Sequence, residues 1–145
     1  MSEVNKAVVL RAIEEGMNKH NISVIAELYQ NCVYRSPVRG EIRGEALKQF
    51  IKSVLVAFPD ARYVVEDQLA DGDKVLTRWS CTGTHKGELM GIAPTGKPVR
   101  ISGMVIDRIV DGKIVEEWEE WDALGMMQQL GGVATLPKAE RKVAA

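Results

Sequence analysis

The chain has 145 residues, which lies within the usual size range of one domain, so we expect a single hydrophobic core. Apolar residues make up 46% and charged residues 27%, proportions typical of a folded globular protein and too apolar for a disordered one. The formal net charge of −1 argues against a nucleic-acid-binding protein, which would carry a strongly basic surface.

Hydropathy and cysteine content indicate the compartment. The longest apolar run, residues 54–58, is far too short to cross a membrane, and the N-terminal segment does not have the pattern of a secretory signal. Cys32 and Cys81 form no paired metal-binding or redox motif. We therefore expect a cytoplasmic protein with reduced thiols and no membrane partner.

The first part of the chain predicts helices. Apolar residues recur at four-residue spacing across residues 3–18, and a shorter helix is predicted for residues 23–30. Residues 32–36 indicate a short strand. The clearest amphipathic pattern covers residues 47–58, where a continuous apolar stripe ends before Pro59.

From residue 61 onward the pattern changes to that of strands. Two pairs of β-branched and aromatic runs are each interrupted by Asp-Gly, a dipeptide typical of a tight hairpin turn. A long loop at residues 83–98, rich in Gly, Pro and Thr, separates the two hairpins. The predicted hairpins pair residues 61–70 with 73–84 and residues 98–110 with 113–121.

This order of elements predicts an α+β fold in which three N-terminal helices pack on one face of a curved antiparallel sheet. A last short helix is predicted for residues 123–130. We expect residues 1–132 to form one domain and residues 133–145 to be a flexible tail, since the tail has few large apolar residues.

The acidic segment 107–122 carries the main candidate for catalysis. A carboxyl group beside an indole in an apolar cavity has a raised pKa, which suits a general acid or base, so we predict that Asp122 works beside Trp118. The alternative is that Asp122 caps the following helix. Strict alternation puts Glu117 and Glu119 on the opposite face, where we expect a solvated edge strand.

Two further polar residues are candidates. His85 follows a predicted strand and is either catalytic or structural. Asp107 shares a strand face with apolar residues, so either it lines a pocket or it pairs with Arg108 at the surface. The sequence has no metal-ligand spacing, no nucleophile-elbow motif and no dinucleotide-binding motif, so we expect no metal and no nucleotide cofactor.

Seven short segments, taken in order, resemble the SnoaL-like polyketide cyclase family over residues 5–131. They are AFPD at 57–60, GDKV at 72–75, RW at 78–79, GTHKG at 83–87, PTGK at 94–97, DGKI at 111–114 with Glu116 and Trp118, and the segment 122–131, which ends in QLG.

The resemblance implies a cone of the nuclear-transport-factor-2 type with an internal pocket, and a homodimer. It also implies a cofactor-free, aldol-type ring closure on a small hydrophobic carbonyl compound, with one aspartate as acid and base. By its position before the last helix, that aspartate would be Asp122. Tyr34 and the pair Asp107 and Arg108 stand where histidines are common in the family. The pocket walls that contact the substrate would be formed by Phe50, Trp79, Met90, Met104, Trp118 and Met126, together with Tyr34 and Arg108.

Two other classes of function remain open at this stage. One is a non-catalytic module of the same fold that binds small molecules or dimerises. The other is an isomerase, a dehydratase or an epoxide-opening enzyme. Epoxide opening would require Asp107, Arg108 and Asp122 to converge on one water molecule, which needs a bulge in the strand.

Overall fold

The computed structural model describes residues 2–132. The first predicted helix is present, but its second half has π-helical hydrogen bonding. A left-handed Gly131 (φ 79°) ends the last helix, as glycine commonly does. The helical segments are α1 (Ser2–Arg11) with its π-helical continuation (Ala12–Asn18), α2 (Ile22–Leu28), α3 (Gly44–Ala57) and α4 (Ala123–Leu130).

Six strands form one curved sheet in the order β2-β1-β6-β5-β4-β3. Both predicted hairpins are confirmed, and their turns contain residues with positive φ, such as Gly72 (59°) and Gly112 (74°). The short strand β2, which follows β1 in the chain and pairs with it in antiparallel orientation, was not predicted. The strands are β1 (Val33–Ser36), β2 (Gly40–Arg43), β3 (Arg62–Asp71), β4 (Lys74–Thr84), β5 (Pro98–Val110) and β6 (Lys113–Trp121).

The strand β6 lies inside the sheet. It pairs antiparallel with β5 on one side and parallel with β1 on the other. The expectation of a solvated edge strand at this segment is therefore wrong. The sequence did not reveal the second neighbour because β1 is four residues long and lies far away in the chain.

A β-bulge in β6 changes which side chains face the interior. Ile114 pairs with Ile109, but the next pair joins Glu116 to Arg108, so Val115 is an extra residue in β6. Because one extra residue reverses the alternation of faces, Ile114 shares the inner face with Glu117 and the odd-numbered residues beyond it.

The helices cover the concave face of the sheet, which confirms the predicted α+β cone. One buried cluster packs α1 and α2 against the sheet, through residues such as Val9, Leu28 and Ile114. A second cluster contains Trp79, Val105 and Met126 near α4. Within residues 2–132, no helix is both long and apolar enough to cross a membrane. The predicted tail, residues 133–145, lies outside the described residues.

Candidate functional site

A cavity of about 140 Å³ lies between the helices and the inner face of the sheet. Most of its wall is apolar, with side chains from α1, α3, β4 and β5. Three carboxyl groups enter it, from Asp107 on β5 and from Glu117 and Glu119 on β6. In the part of the chain that the structure describes, no Lys, Arg or His side chain lines this cavity.

The sheet register brings the three carboxyl groups together. Asp107 is directly opposite Glu117 in the β5–β6 pair, and Glu119 follows two positions later on the same face. Asp107 is 1% exposed and Glu117 is 9% exposed. Carboxyl groups this deeply buried without a cation favour the neutral form, because burial penalises the charge.

Glu119 lies beside two donor groups. The Tyr34 hydroxyl donates to Oε1 of Glu119 at 2.8 Å, and the nearby Trp79 indole also lowers the pKa of this carboxyl group. Burial, followed by the charge of Glu117, raises the pKa of Glu119 to about 8, although both donors lower it. A carboxylic acid with this pKa is largely protonated at neutral pH and can donate its proton.

Asp107 and Glu117 act on each other. Burial is the largest cause that raises the pKa of Asp107, to about 7. Burial, the charge of Asp107 and a hydrogen bond with Asp107 raise the pKa of Glu117 well above its usual range, while the Tyr29 hydroxyl acts in the opposite direction. Two buried carboxyl groups that face each other without a cation strongly disfavour a double negative charge.

Gly103 on β5 makes room for the indole ring of Trp79. A Cβ atom at position 103 would lie 2.6 Å from Cζ2 of Trp79 and 2.9 Å from the carbonyl oxygen of Glu120. Only glycine therefore fits beside Trp79 in this part of the sheet.

Several predicted site residues lie where the sequence placed them. Asp107 lines the cavity and does not pair with Arg108 at the surface. Five of the predicted wall residues also line it. These are Tyr34, Phe50, Trp79, Met90 and Met126.

Three other predicted wall residues face away from the cavity. Trp118 lies on the outer face, where the Arg35 guanidinium and the Lys74 ammonium group each approach its ring to 5.5 Å. Met104 is exposed on the same outer face. Arg108 donates from Nε to Glu116 at 2.7 Å. The prediction that Trp118, Met104 and Arg108 line the pocket was wrong, because all three side chains lie on the outer face of the sheet.

The predicted position of Asp122 in the cavity was also wrong. Asp122 is exposed and caps α4, where Oδ1 accepts a hydrogen bond from the Gly125 backbone N–H at 2.8 Å. Asp122 was predicted to lie in the cavity because it was expected to share a strand face with Trp118. Both residues lie outside the cavity. Because Arg108 and Asp122 are outside, the set of Asp107, Arg108 and Asp122 needed for epoxide opening is not assembled.

His85 is fully buried but does not line the cavity. Its ring packs on Phe58, with 5.5 Å between ring centroids, and its Nδ1 accepts a hydrogen bond from the Thr95 backbone N–H at 3.2 Å. This contact holds the loop between β4 and β5. Leu89 and Met90 of that loop reach the cavity wall.

Glu117 and Glu119 were missed as site residues, and so was Tyr29. The one signal in the sequence was Ile114, an apolar residue expected to face the interior. If a bulge follows Ile114, the side chains of Glu117 and Glu119 face the same side as Ile114. No local feature of the sequence marks Val115 as an extra residue. The register, and with it the bulge, is defined by the pairing with β5.

The comparisons with known proteins identify the family. The sequence pattern of the SnoaL-like polyketide cyclase family matches residues 7–130. The chain belongs to this family. Among its SnoaL-like relatives is DnrD, the aklanonic acid methyl ester cyclase of Streptomyces peucetius, which is 34% identical over 105 residues, or 70% of this chain and 71% of DnrD.

Solved structures of other proteins share the fold. AclR of Streptomyces galilaeus, suggested to be a hydroxylase, has a TM-score of 0.86 and 30% identity, with 95% of this chain and 87% of AclR covered. IdmH of Streptomyces antibioticus, suggested to be a polyketide cyclase, has a TM-score of 0.76 and 28% identity, with 88% and 98% covered.

Proposed function

We propose that this SnoaL-like protein catalyses a cofactor-free, intramolecular aldol-type ring closure of a small hydrophobic carbonyl compound, with Glu119 as the general acid. The observation that carries the proposal is a carboxyl group that lines an apolar cavity and is oriented by a hydrogen bond from Tyr34. Its role as an acid follows from its environment, because burial keeps the carboxyl group protonated at neutral pH and the developing alkoxide is a much stronger base than a carboxylate.

In this reaction a carbon nucleophile attacks a carbonyl carbon of the same molecule, and the carbonyl oxygen gains negative charge. Glu119 donates its proton to that oxygen, which becomes a hydroxyl group. The apolar wall holds the substrate in a folded conformation, so that the two reacting carbons are close, and it keeps water away from the nucleophile.

The cavity chemistry favours an uncharged substrate. Among the described residues no basic side chain lines the cavity to pair with a free carboxylate, whose burial would be costly, whereas an ester has no charge to bury. The relative DnrD is described as a cyclase of a methyl ester. Aklanonic acid methyl ester is therefore the first compound to test.

The test compares two neighbouring glutamates. Glu119→Gln keeps the size of the side chain and its hydrogen bond from Tyr34 but removes the acidic proton. We expect it to reduce kcat/KM for ring closure at least about 100-fold, the usual contribution of a positioned acid. Glu120→Gln, on the exposed outer side, is the matched control and should leave kcat/KM unchanged.

The pH profile gives an independent measurement. Because Glu119 must be protonated, kcat/KM should fall as the pH rises through about 8. A Glu119→Gln variant that closes the ring at the wild-type rate would contradict the assignment. Tight binding of the ester without any conversion would instead favour the non-catalytic binding module.

A further inference from the structure

The pair Asp107 and Glu117 is not used by the general acid step. The two residues face each other across the β5–β6 pair, and both carboxyl groups line the cavity. Oδ1 of Asp107 is buried and has no hydrogen-bond partner among the described residues. Since a buried, unpartnered carboxylate oxygen is costly, this atom indicates that Asp107 is protonated or shares a proton with the facing Glu117.

We infer that Asp107 and Glu117 form a carboxyl dyad that holds one proton and acts as the catalytic base, removing a proton from the substrate carbon next to a carbonyl group. The inference rests on the proposed function, in which Glu119 is the acid. In this mechanism the dyad removes the proton from the substrate carbon and Glu119 donates the proton to the carbonyl oxygen, both within one cavity.

The surroundings of the dyad fit a base with one negative charge. The Tyr29 hydroxyl, at the end of α2, lowers the pKa of Glu117 and so favours a charge there. Glu119 on β6 also acts on Asp107, and the pair in turn raises the pKa of the Cys32 thiol before β1. None of these groups is a cation, so a second negative charge on the dyad would be strongly unfavourable.

The reaction balances without an external reagent. The ionised oxygen of the dyad takes the proton as the C–H bond breaks, and that electron pair forms the new C–C bond. The carbonyl π electrons move to oxygen, which takes the proton of Glu119. The dyad then holds two protons and Glu119 none. Return of one proton from Glu117 to Glu119, two positions along the same strand face, restores both sites.

The first test needs no substrate. We would follow the side-chain carboxyl resonances of the ¹³C-labelled full chain by NMR between pH 4 and pH 10. A dyad loses one proton near pH 7 and keeps the second to a clearly higher pH. In Glu117→Gln, the titration of Asp107 should change by at least about one pH unit, because its partner is gone. The Glu120→Gln control should not change it.

Two NMR results would overturn the dyad. One is ionisation of both carboxyl groups below pH 5. The other is an Asp107 titration that is the same in wild type and in Glu117→Gln. Should Asp107→Asn or Glu117→Gln fold poorly, the wild-type titration alone still decides between one shared proton and two independent groups.

The second test isolates the base. An aryl ethyl ketone in deuterium oxide has no second carbonyl and cannot close a ring, so deuterium uptake at its CH₂ group reports proton removal alone. Wild type should catalyse the exchange, and Asp107→Asn should reduce it at least about 100-fold. Glu119→Gln should keep most of the exchange although it loses ring closure.

The outcomes separate the two proposals. Equal exchange in wild type and Asp107→Asn, including no exchange in either, overturns the dyad as the base. Normal exchange together with unimpaired ring closure in Glu119→Gln overturns the role of Glu119 and leaves the dyad supported.

Discussion

Glu119 and Glu120 are neighbours in the chain with identical side chains, but β6 directs them to opposite faces of the sheet. Glu119 enters the cavity, accepts a hydrogen bond from Tyr34 and has a pKa raised to about 8. Glu120 is exposed. The difference in chemistry between the two therefore comes from burial and from the donors that the fold supplies.

Asp122 offers a direct comparison of a helix-capping carboxyl group with Glu119, the proposed general acid. We expect Asp122→Ala to lower the free energy of unfolding by about 1 kcal/mol, because the helix α4 loses its cap. Asp122→Asn should cost less, since asparagine also caps helices well. Urea denaturation measures both effects. Both variants should keep wild-type ring closure, and a large loss of activity in a stably folded Asp122→Asn would restore the catalytic prediction for this residue.

At the scale of elements, the strands were predictable where local chemistry defines them. Asp-Gly at 71–72 and at 111–112 marks both hairpins, and the apolar stripe marks α3. Part of the cavity wall was also predictable, because Trp79 and Met126 lie in segments with a clear hydrophobic pattern. The faces of β6 were not predictable. Local alternation was interrupted at Val115, and the register depends on Arg108 and Ile109 in another strand.

Gly103 in β5 is the element-scale feature with the sharpest consequence. Alanine is normally better than glycine inside a strand, so Gly103→Ala would be stabilising in open space. Here the added Cβ would meet Trp79 and the Glu120 carbonyl, so we expect a loss of about 1–3 kcal/mol in the free energy of unfolding. Thermal unfolding and tryptophan fluorescence would show it. Ser102→Ala, at the exposed neighbouring position, is the control, and an equal or higher stability of Gly103→Ala would contradict the packing argument.

At the scale of the whole molecule, the buried carboxyl groups make stability depend on pH. The folded-state pKa is about 7 for Asp107 and about 8 for Glu119, compared with ordinary values of 3.8 and 4.5. Between about pH 4 and pH 8 these two groups thus bind more protons in the folded protein than in the unfolded chain. The contribution of these groups to stability is therefore greatest at low pH and is lost as the pH rises through the folded pKa values.

Asp107→Asn should consequently stabilise the protein more at pH 8 than at pH 5, by a difference of about 1–3 kcal/mol in the free energy of unfolding. Urea denaturation at the two pH values measures it. Glu120→Gln should show no such difference, because its side chain is already in solvent. If Asp107→Asn raised the free energy of unfolding equally at both pH values, folding would not raise the pKa of the Asp107 carboxyl group, and the prediction would be wrong.

The parallel pairing of β1 with β6 determines when the cavity can be completed. Arg35 and Glu116, which bond across this pair, are 81 positions apart, and Tyr34 reaches Glu119 over a similar separation. The helices α1–α3 and the strands β1–β5 precede β6 in the chain, so most of the apolar cavity wall is synthesised before Glu117 and Glu119. A folding intermediate in which β6 has not yet docked between β1 and β5 therefore lacks two of the three carboxyl groups of the cavity.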